Sequence, residues 1–262
     1  MANESVSRTL LVAGLLAVVC SALVSSSAIL LRPEQARNKD LDRKKNILQA
    51  AGIYKEKLAV DEQFSQFEIK VVDLSTGEFR DDIDAATFDQ RKAAKSNDQG
   101  MAITGEDDIA GIKRRSLYAL IYIARGSNGD LEKLILPVHG KGLWSTLYGY
   151  LALDSDLTTI NGFAFYEHGE TPGLGGEVDN PRWKAQWIGK QAFAEDGTAW
   201  LEVLKGKTNP DSPDAIHQID GLAGATITSR GIDSLLRYWL GEHGFKPLLD
   251  QLKSTEGETD HG

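Results

Sequence analysis

Asp220-Gly-Leu-Ala-Gly-Ala-Thr226-Ile-Thr228-Ser229 leads straight into a run whose apolar residues, Ile232, Leu235, Leu236, Trp239 and Leu240, recur at helical spacing. Positions i, i+3, i+4, i+7 and i+8 share one face, so the spacing predicts an amphipathic helix after Ser229. Gly241 and Gly244 are placed to end it. The small residues at 223–225 let a ligand approach the backbone closely. A helix start offers N–H groups without intrahelical partners and the positive end of the helix dipole, and both favour a phosphate. Thr228 or Ser229 is the expected N-cap. The same spacing is also that of a plain capped helix start.

Outward from this segment the chain reads as strands. Ser116–Ala124 (SLYALIYIA) and Leu131–Val138 (LEKLILPV) are strand-like runs, and the separator Arg125-Gly-Ser-Asn-Gly-Asp130 is rich in turn residues, so a hairpin is expected. Further strands are expected at 147–153, 160–167 and 199–205. Residues 33–60 read as helix, with Leu41, Ile47, Leu48 and Ala51 near helical spacing and Gly52 as a stop. Residues 75–115 are polar and irregular and read as a solvated excursion with short helices. Strands in runs with helices at the ends give an α+β fold class. Two more glycine-rich stretches stand out, His139-Gly-Lys-Gly-Leu-Trp144 and Thr171-Pro-Gly-Leu-Gly-Gly176. Neither is a GxGxxG in a βαβ setting, and Gly140-Lys-Gly142 lacks the Ser or Thr of a P-loop, so dinucleotide and Walker sites are not supported. Taken singly, each glycine stretch reads equally well as a tight turn.

The 262 residues allow one large domain or two small ones. A hydrophobic fraction of 41% supports a globular core, and the net charge of −9 argues against nucleic-acid binding. The single cysteine, Cys20, excludes an intrachain disulfide and any four-cysteine metal or iron–sulfur site. Between Arg8 and Arg32 lie 23 residues without charge. As a helix they span roughly 34 Å at about 1.5 Å per residue, enough to cross a hydrocarbon core of about 30 Å. A cleaved signal peptide, cut near Ser27-Ala28, and a lipoprotein signal at Cys20 are the competing readings, but Val19 is bulky for lipoprotein cleavage, and the run continues through Ile29-Leu30-Leu31 and favours an uncleaved anchor over 1–32. Cations flank both ends of the span, so local charge leaves the orientation undecided.

Asp220–Ser229 resembles the flavinylation motif of covalent FMN-binding subunits, in which a flavin transferase joins FMN through a phosphoester to the threonine after Gly-Ala. Thr226 matches that position. The anchor, the stretch Gly140-Lys-Gly-Leu-Trp-Ser-Thr-Leu-Tyr-Gly149 and the stretch His168-Gly-Glu-Thr-Pro-Gly-Leu-Gly-Gly-Glu177 resemble the C subunit of the sodium-translocating NADH:quinone reductase. The motif alone is shared with the G subunit of the Rnf electron-transport complex, while the 140–177 pattern and the length favour the quinone reductase. Ala223 departs from the pattern, standing where many members carry Ser or Thr.

The resemblance implies a single-pass protein of a bacterial inner membrane. Residues 33–262 would form an extracytoplasmic domain, with the FMN-binding core at about 116–245. The FMN would pass electrons between partner subunits on the way from NADH to quinone. Gly224, Ala225 and Thr226 are the expected phosphate contacts, with Thr228 a further hydroxyl of the same segment. Trp144 and Leu174 are placed to pack on the isoalloxazine, or else are ordinary core. Glu170 and Thr171 are placed to meet polar ring edges, or else cap a turn before Pro172. Lys205 offers a cation near the flavin, or else is simply solvated. The uncharged span carries no acidic residue for sodium, so a sodium path would lie in other subunits. The readings that compete with this one are an Rnf-type or other tethered flavoprotein and a membrane-tethered binding module without flavin.

Overall fold

The computed structural model describes residues 6–259. The chain divides into two compact units after Arg43. The first consists of helix α1, Val6–Ala50, up to that point. The apolar run and the expected 33–60 helix are thus one helix. Pro33 costs one backbone hydrogen bond, but the straight-chain residues after it are good helix formers and carry the helix on. It ends at Ala50 and not near 60, because Gly52 turns the chain at a φ of +67°. Side chains along the apolar run are exposed, and the helix is long and apolar enough to cross a membrane.

Lys44–Gly262 forms the second unit. The short helix α2, Val60–Phe64, leads into strand β1, Phe67–Asp73. The 75–115 excursion holds helix α3, Gln90–Ala93, capped by Asp89, and also a small sheet in which β2, Gly100–Ala102, pairs with β3, Arg114–Ser116. Then come β4 (Tyr118–Arg125), β5 (Leu131–Lys141), β6 (Thr146–Asp154) and β7 (Ile160–Glu167). With β1 they form a five-stranded antiparallel sheet of order β1-β4-β5-β6-β7. The hairpin and both following strands fall where the sequence places them. The short helix α4, Pro181–Lys184, follows β7.

Of the strand expected at 199–205, only β8, Glu202–Val203, forms, parallel to β9, Gln218–Ile219. The Leu204 N–H donates to the Ile219 carbonyl at 2.9 Å, while the Val203 N–H faces away from β9 and donates to Asp233 Oδ1 at 2.7 Å. Helix α5 spans Thr226–Trp239, beginning before Ser229, and helix α6 spans Lys246–Thr259.

The sheet is buried on both faces, which strand alternation makes visible. Ile121, Ile123, Leu134, Leu136, Leu151, Phe163 and Phe165 face one core, which α5 closes with Ile232, Leu235, Leu236 and Trp239. The intervening Tyr122, Ala124, Ile135, Tyr150, Ala152 and Ala164 face a second core, closed by Ile47, Leu48, Ala50, Phe64 and Phe67. At Gly140 a Cβ would collide with the Leu235 side chain, so glycine there lets α5 lie against β5. The Trp239 Nε1–H donates to the His139 carbonyl at 2.7 Å and fixes the register of helix on strand. This docking holds the start of α5 next to the β5–β6 turn.

Candidate functional site

The first turn of α5 is uncapped. Ala225 is the N-cap residue, and among the described residues no side chain accepts from the helix start. The N–H groups of Thr226, Ile227 and Thr228 therefore have no intrahelical partner. This corrects the expectation that Thr228 or Ser229 caps the helix. Gly224 precedes the turn at a φ of +70°, and a Cβ there would stand 2.9 Å from Leu174 Cδ2. The segment thus needs glycine for its conformation and for its approach to the 171–176 loop.

The hydroxyls of this turn differ sharply. Thr228 is 0% exposed and its Oγ1 donates to Glu170 Oε2 at 2.6 Å. Ser229 is buried, and its Oγ has no hydrogen-bond partner among the described residues. Thr226 is half-buried, and its hydroxyl is free of hydrogen bonds among the described residues. Among these three, Thr226 is the one a reagent can reach.

Glu170 joins all the glycine-rich stretches. It lies after β7 and is buried. Its carboxylate accepts from the N–H groups of Trp144 at 2.9 Å, Leu143 at 3.3 Å and Ser145 at 3.3 Å, as well as from Thr228. Burial alone would push the carboxyl up. The Thr228 hydroxyl and the three amides outweigh it and hold Glu170 below the usual carboxylate range. The structure thus turns Glu170 inward, onto three backbone amides and the Thr228 hydroxyl. The β5–β6 turn that supplies these amides is closed by the Gly142 N–H donating to the Ser145 carbonyl at 2.8 Å. A second tie runs from the Gly169 N–H to Ser145 Oγ at 2.6 Å.

The remaining expected residues separate into groups. Trp144 is 67% exposed and Leu174 is 44% exposed, so neither is ordinary core. Leu143 and Ile227, which are not among the expected site residues, are also exposed apolar side chains on these segments. A signal for both is present in the sequence, since each adjoins a residue that the motifs single out. Thr171 is exposed, and its carbonyl accepts from the N–H groups of Leu174 at 3.1 Å and Gly176 at 2.9 Å, which is the turn-capping alternative. Lys205 is exposed, and its backbone lies against Gly221. Asp220 is turned from the helix start, with Oδ1 accepting from the Thr208 N–H at 2.8 Å. His168 is held by Asp179 at 2.8 Å from Nε2, while its Nδ1 accepts from the Glu170 N–H at 3.2 Å.

Free amides at a helix start suit a phosphate, and exposed aromatic and aliphatic side chains suit a flat apolar ring. The donor set fits a flavin mononucleotide: one anionic end, one planar end, and a reachable hydroxyl beside the anion site.

A family model for the FMN-binding domain matches residues 142–241, which takes in Trp144, Glu170, Leu174 and Thr226. The C subunit of the Na(+)-translocating NADH-quinone reductase of Pseudomonas aeruginosa is 49% identical over 98% of this chain and 100% of its own length. That of Yersinia pestis is 42% identical over 99% of this chain and 97% of its own. The crystal structure of Shewanella oneidensis NqrC aligns with a TM-score of 0.76 at 34% identity, covering 84% of this chain and 99% of that one. The crystal structure of the corresponding subunit from Parabacteroides distasonis aligns with a TM-score of 0.64 at 30% identity, over 84% and 96%.

Proposed function

Because this chain belongs to the family formed by the C subunit of the Na(+)-translocating NADH-quinone reductase, we propose that it carries FMN as a phosphoester on Thr226 and relays electrons through it to partner subunits. Family membership makes it an FMN-binding part of a multi-subunit oxidoreductase complex. The covalent link is the finer step. One observation carries it: of the hydroxyls in the first turn of α5, Thr226 alone is accessible, and it sits among uncapped amides.

In this reading the N–H groups of Thr226, Ile227 and Thr228 hold the phosphate, and Gly224 and Ala225 let it come close. Trp144 and Leu174, with Leu143 and Ile227, offer the ring an apolar surface, and Lys205 adds an exposed cation next to the 220–224 segment. Thr171 shapes its loop through its carbonyl. The bound flavin supplies the electron transfer, and the chain binds, orients and retains it. A flavin transferase would install the group from an activated donor, a flavin phosphoanhydride: Thr226 Oγ1 would bond to the flavin phosphorus, the anhydride P–O bond would break, the other phosphate would leave, and the hydroxyl proton would pass to solvent. The apolar run of α1 anchors the chain in the bacterial inner membrane by a single span, with the domain from residue 33 on the periplasmic side. A tether by covalent bond suits a compartment where free FMN would be scarce.

The test is expression of the full chain with an active flavin transferase, followed by a denaturing gel under ultraviolet light and mass spectrometry. The expected result is a fluorescent band, heavier by one FMN less water, and a dark band for Thr226→Ala. A dark wild-type band beside a labelled control substrate would refute the covalent flavin.

A further inference from the structure

Trp144 is an exposed indole on a two-stranded turn, and it makes no ring contact among the described residues. A large side chain in that position ordinarily samples several rotamers on a turn that itself moves. Here the turn is restrained. Three successive amides, those of Leu143, Trp144 and Ser145, all donate to one buried carboxylate, Glu170. The same carboxylate accepts from Thr228, in the first turn of α5 and two residues from Thr226. Glu170 therefore links the turn that bears Trp144 to the helix start that bears Thr226.

The site is built for an ionised carboxylate. Four donors converge on its two oxygens, and only the anion accepts at both without offering a proton. The protein also leaves room for it. A Cβ at Gly142 would stand 2.6 Å from Glu170 Oε1, and one at Gly175 would stand 2.6 Å from Thr228 Oγ1 and 2.9 Å from Glu170 Oε2. From behind, His168 accepts the Glu170 N–H and is itself held by Asp179. A buried charge is a costly way to close a loop, and an apolar side chain would fill the volume with less desolvation. What the carboxylate adds is direction: it fixes where three amides point, and so where Trp144 stands.

Building on the proposed flavin on Thr226, we infer that Glu170 is a positioning residue: it touches no flavin atom, but sets Trp144 against the ring. The glutamine isostere keeps one acceptor oxygen and turns a donor NH2 towards the donors on the other side, so it holds the turn only in part.

Flavin emission tests this directly, because an indole stacked on the ring quenches it. The full chain, flavinylated in detergent, is compared with Glu170→Ala, Glu170→Gln and Trp144→Ala. Fluorescence of the native protein is divided by that of the same sample denatured, so that occupancy cancels, and peptide mass spectrometry locates the flavin. The wild type is expected to be strongly quenched. Glu170→Ala is expected to rise several-fold towards the Trp144→Ala value with the flavin still on Thr226, and Glu170→Gln is expected to fall between. A merely structural role would lower the melting temperature without moving this ratio. A wild-type ratio retained by Glu170→Ala while Trp144→Ala rises would overturn the inference and leave the proposed function standing. Should Glu170→Ala not fold, a wild-type ratio in Glu170→Gln overturns it equally. A wild type without attached flavin would remove the proposed function, and the inference with it.

Discussion

Two titrating groups beside α5 are set against each other, and separating them tests how the fold places charge. His139, on β5, lies between the Tyr148 ring at 5.3 Å and the Trp239 ring at 4.8 Å. Burial, aided by the charge of Arg91, pushes its imidazole from 6.5 down to about 4. Asp233, on α5, is pushed by burial from 3.8 up to about 6; the Val203 N–H and Arg237 oppose the rise, and Glu202 adds to it. At about 1.36 kcal/mol per pKa unit, each displacement corresponds to roughly 3 kcal/mol. The signs are opposite. As pH falls from 6.5 to 4, the unfolded chain takes up the histidine proton first, and His139 costs the fold stability. Over nearly the same window, from 6 to 4, the folded chain takes up the Asp233 proton first, and the fold gains. In the wild type the two nearly cancel. Asp233→Asn keeps an acceptor for Val203 and removes the titration. It should be more stable than wild type by roughly 3 kcal/mol at about pH 7, and it should lose that advantage by about pH 4. Urea unfolding of the full chain in detergent, followed by tryptophan fluorescence across this pH range, reads both quantities. A difference between the two proteins that stays constant across that range would refute the account of Asp233. A flat profile for Asp233→Asn would refute that of His139.

Smaller perturbations probe the packing around the site. Gly175→Ala places a methyl 2.6 Å from Thr228 Oγ1 and should force that hydroxyl off Glu170. Such overpacking costs roughly 1–3 kcal/mol, and a thermal melt of the full chain that matches wild type would count against the tight fit. Trp239→Phe removes the donor to the His139 carbonyl and leaves a buried acceptor unpaired. The expected loss is about 1–3 kcal/mol by denaturant titration, with the far-ultraviolet spectrum preserved.

Much of this architecture is legible in the sequence because hydrophobic period reports it. The β4–β5 hairpin, β6, β7 and the apolar face of α5 all follow from spacing, and the apolar run of α1 follows from length. β1 carries the same kind of signal, since Phe67, Ile69 and Val71 alternate with Glu68 and Lys70, yet it is missing from the expected strands. The 199–205 strand fails for a different reason. Its apolar residues are real, but the partner it finds, β9, is only two residues long, and the length of a partner elsewhere in the chain has no local signature. The start of α5 falls earlier than expected because Thr228 and Ser229 have N-cap chemistry, and tertiary structure spends the Thr228 hydroxyl elsewhere.

Glu170 shows where sequence reasoning stops. Its neighbours in the chain, Thr171-Pro172-Gly173, point to a turn, and a glutamate beside a turn reads as a solvent-facing or ligand-facing group. The structure gives it to Leu143, Trp144, Ser145 and Thr228, which lie 25 to 27 residues before it and 58 after. The three glycine stretches carry part of the explanation. Gly142 and Gly175 leave out the methyl groups that would collide with this carboxylate and with Thr228, and Gly224 makes the matching approach to Leu174. Glycine at those places is as much a statement about a neighbouring side chain as about a turn. Read singly, each stretch is a turn; read together, they are the walls of a site whose centre is an acid that only the folded chain brings to them. The exposed Trp144 follows from that acid, which draws the 143–145 amides inward and leaves the indole facing out, whereas the uncapped start of α5 follows from Ala225, an N-cap residue with no acceptor side chain.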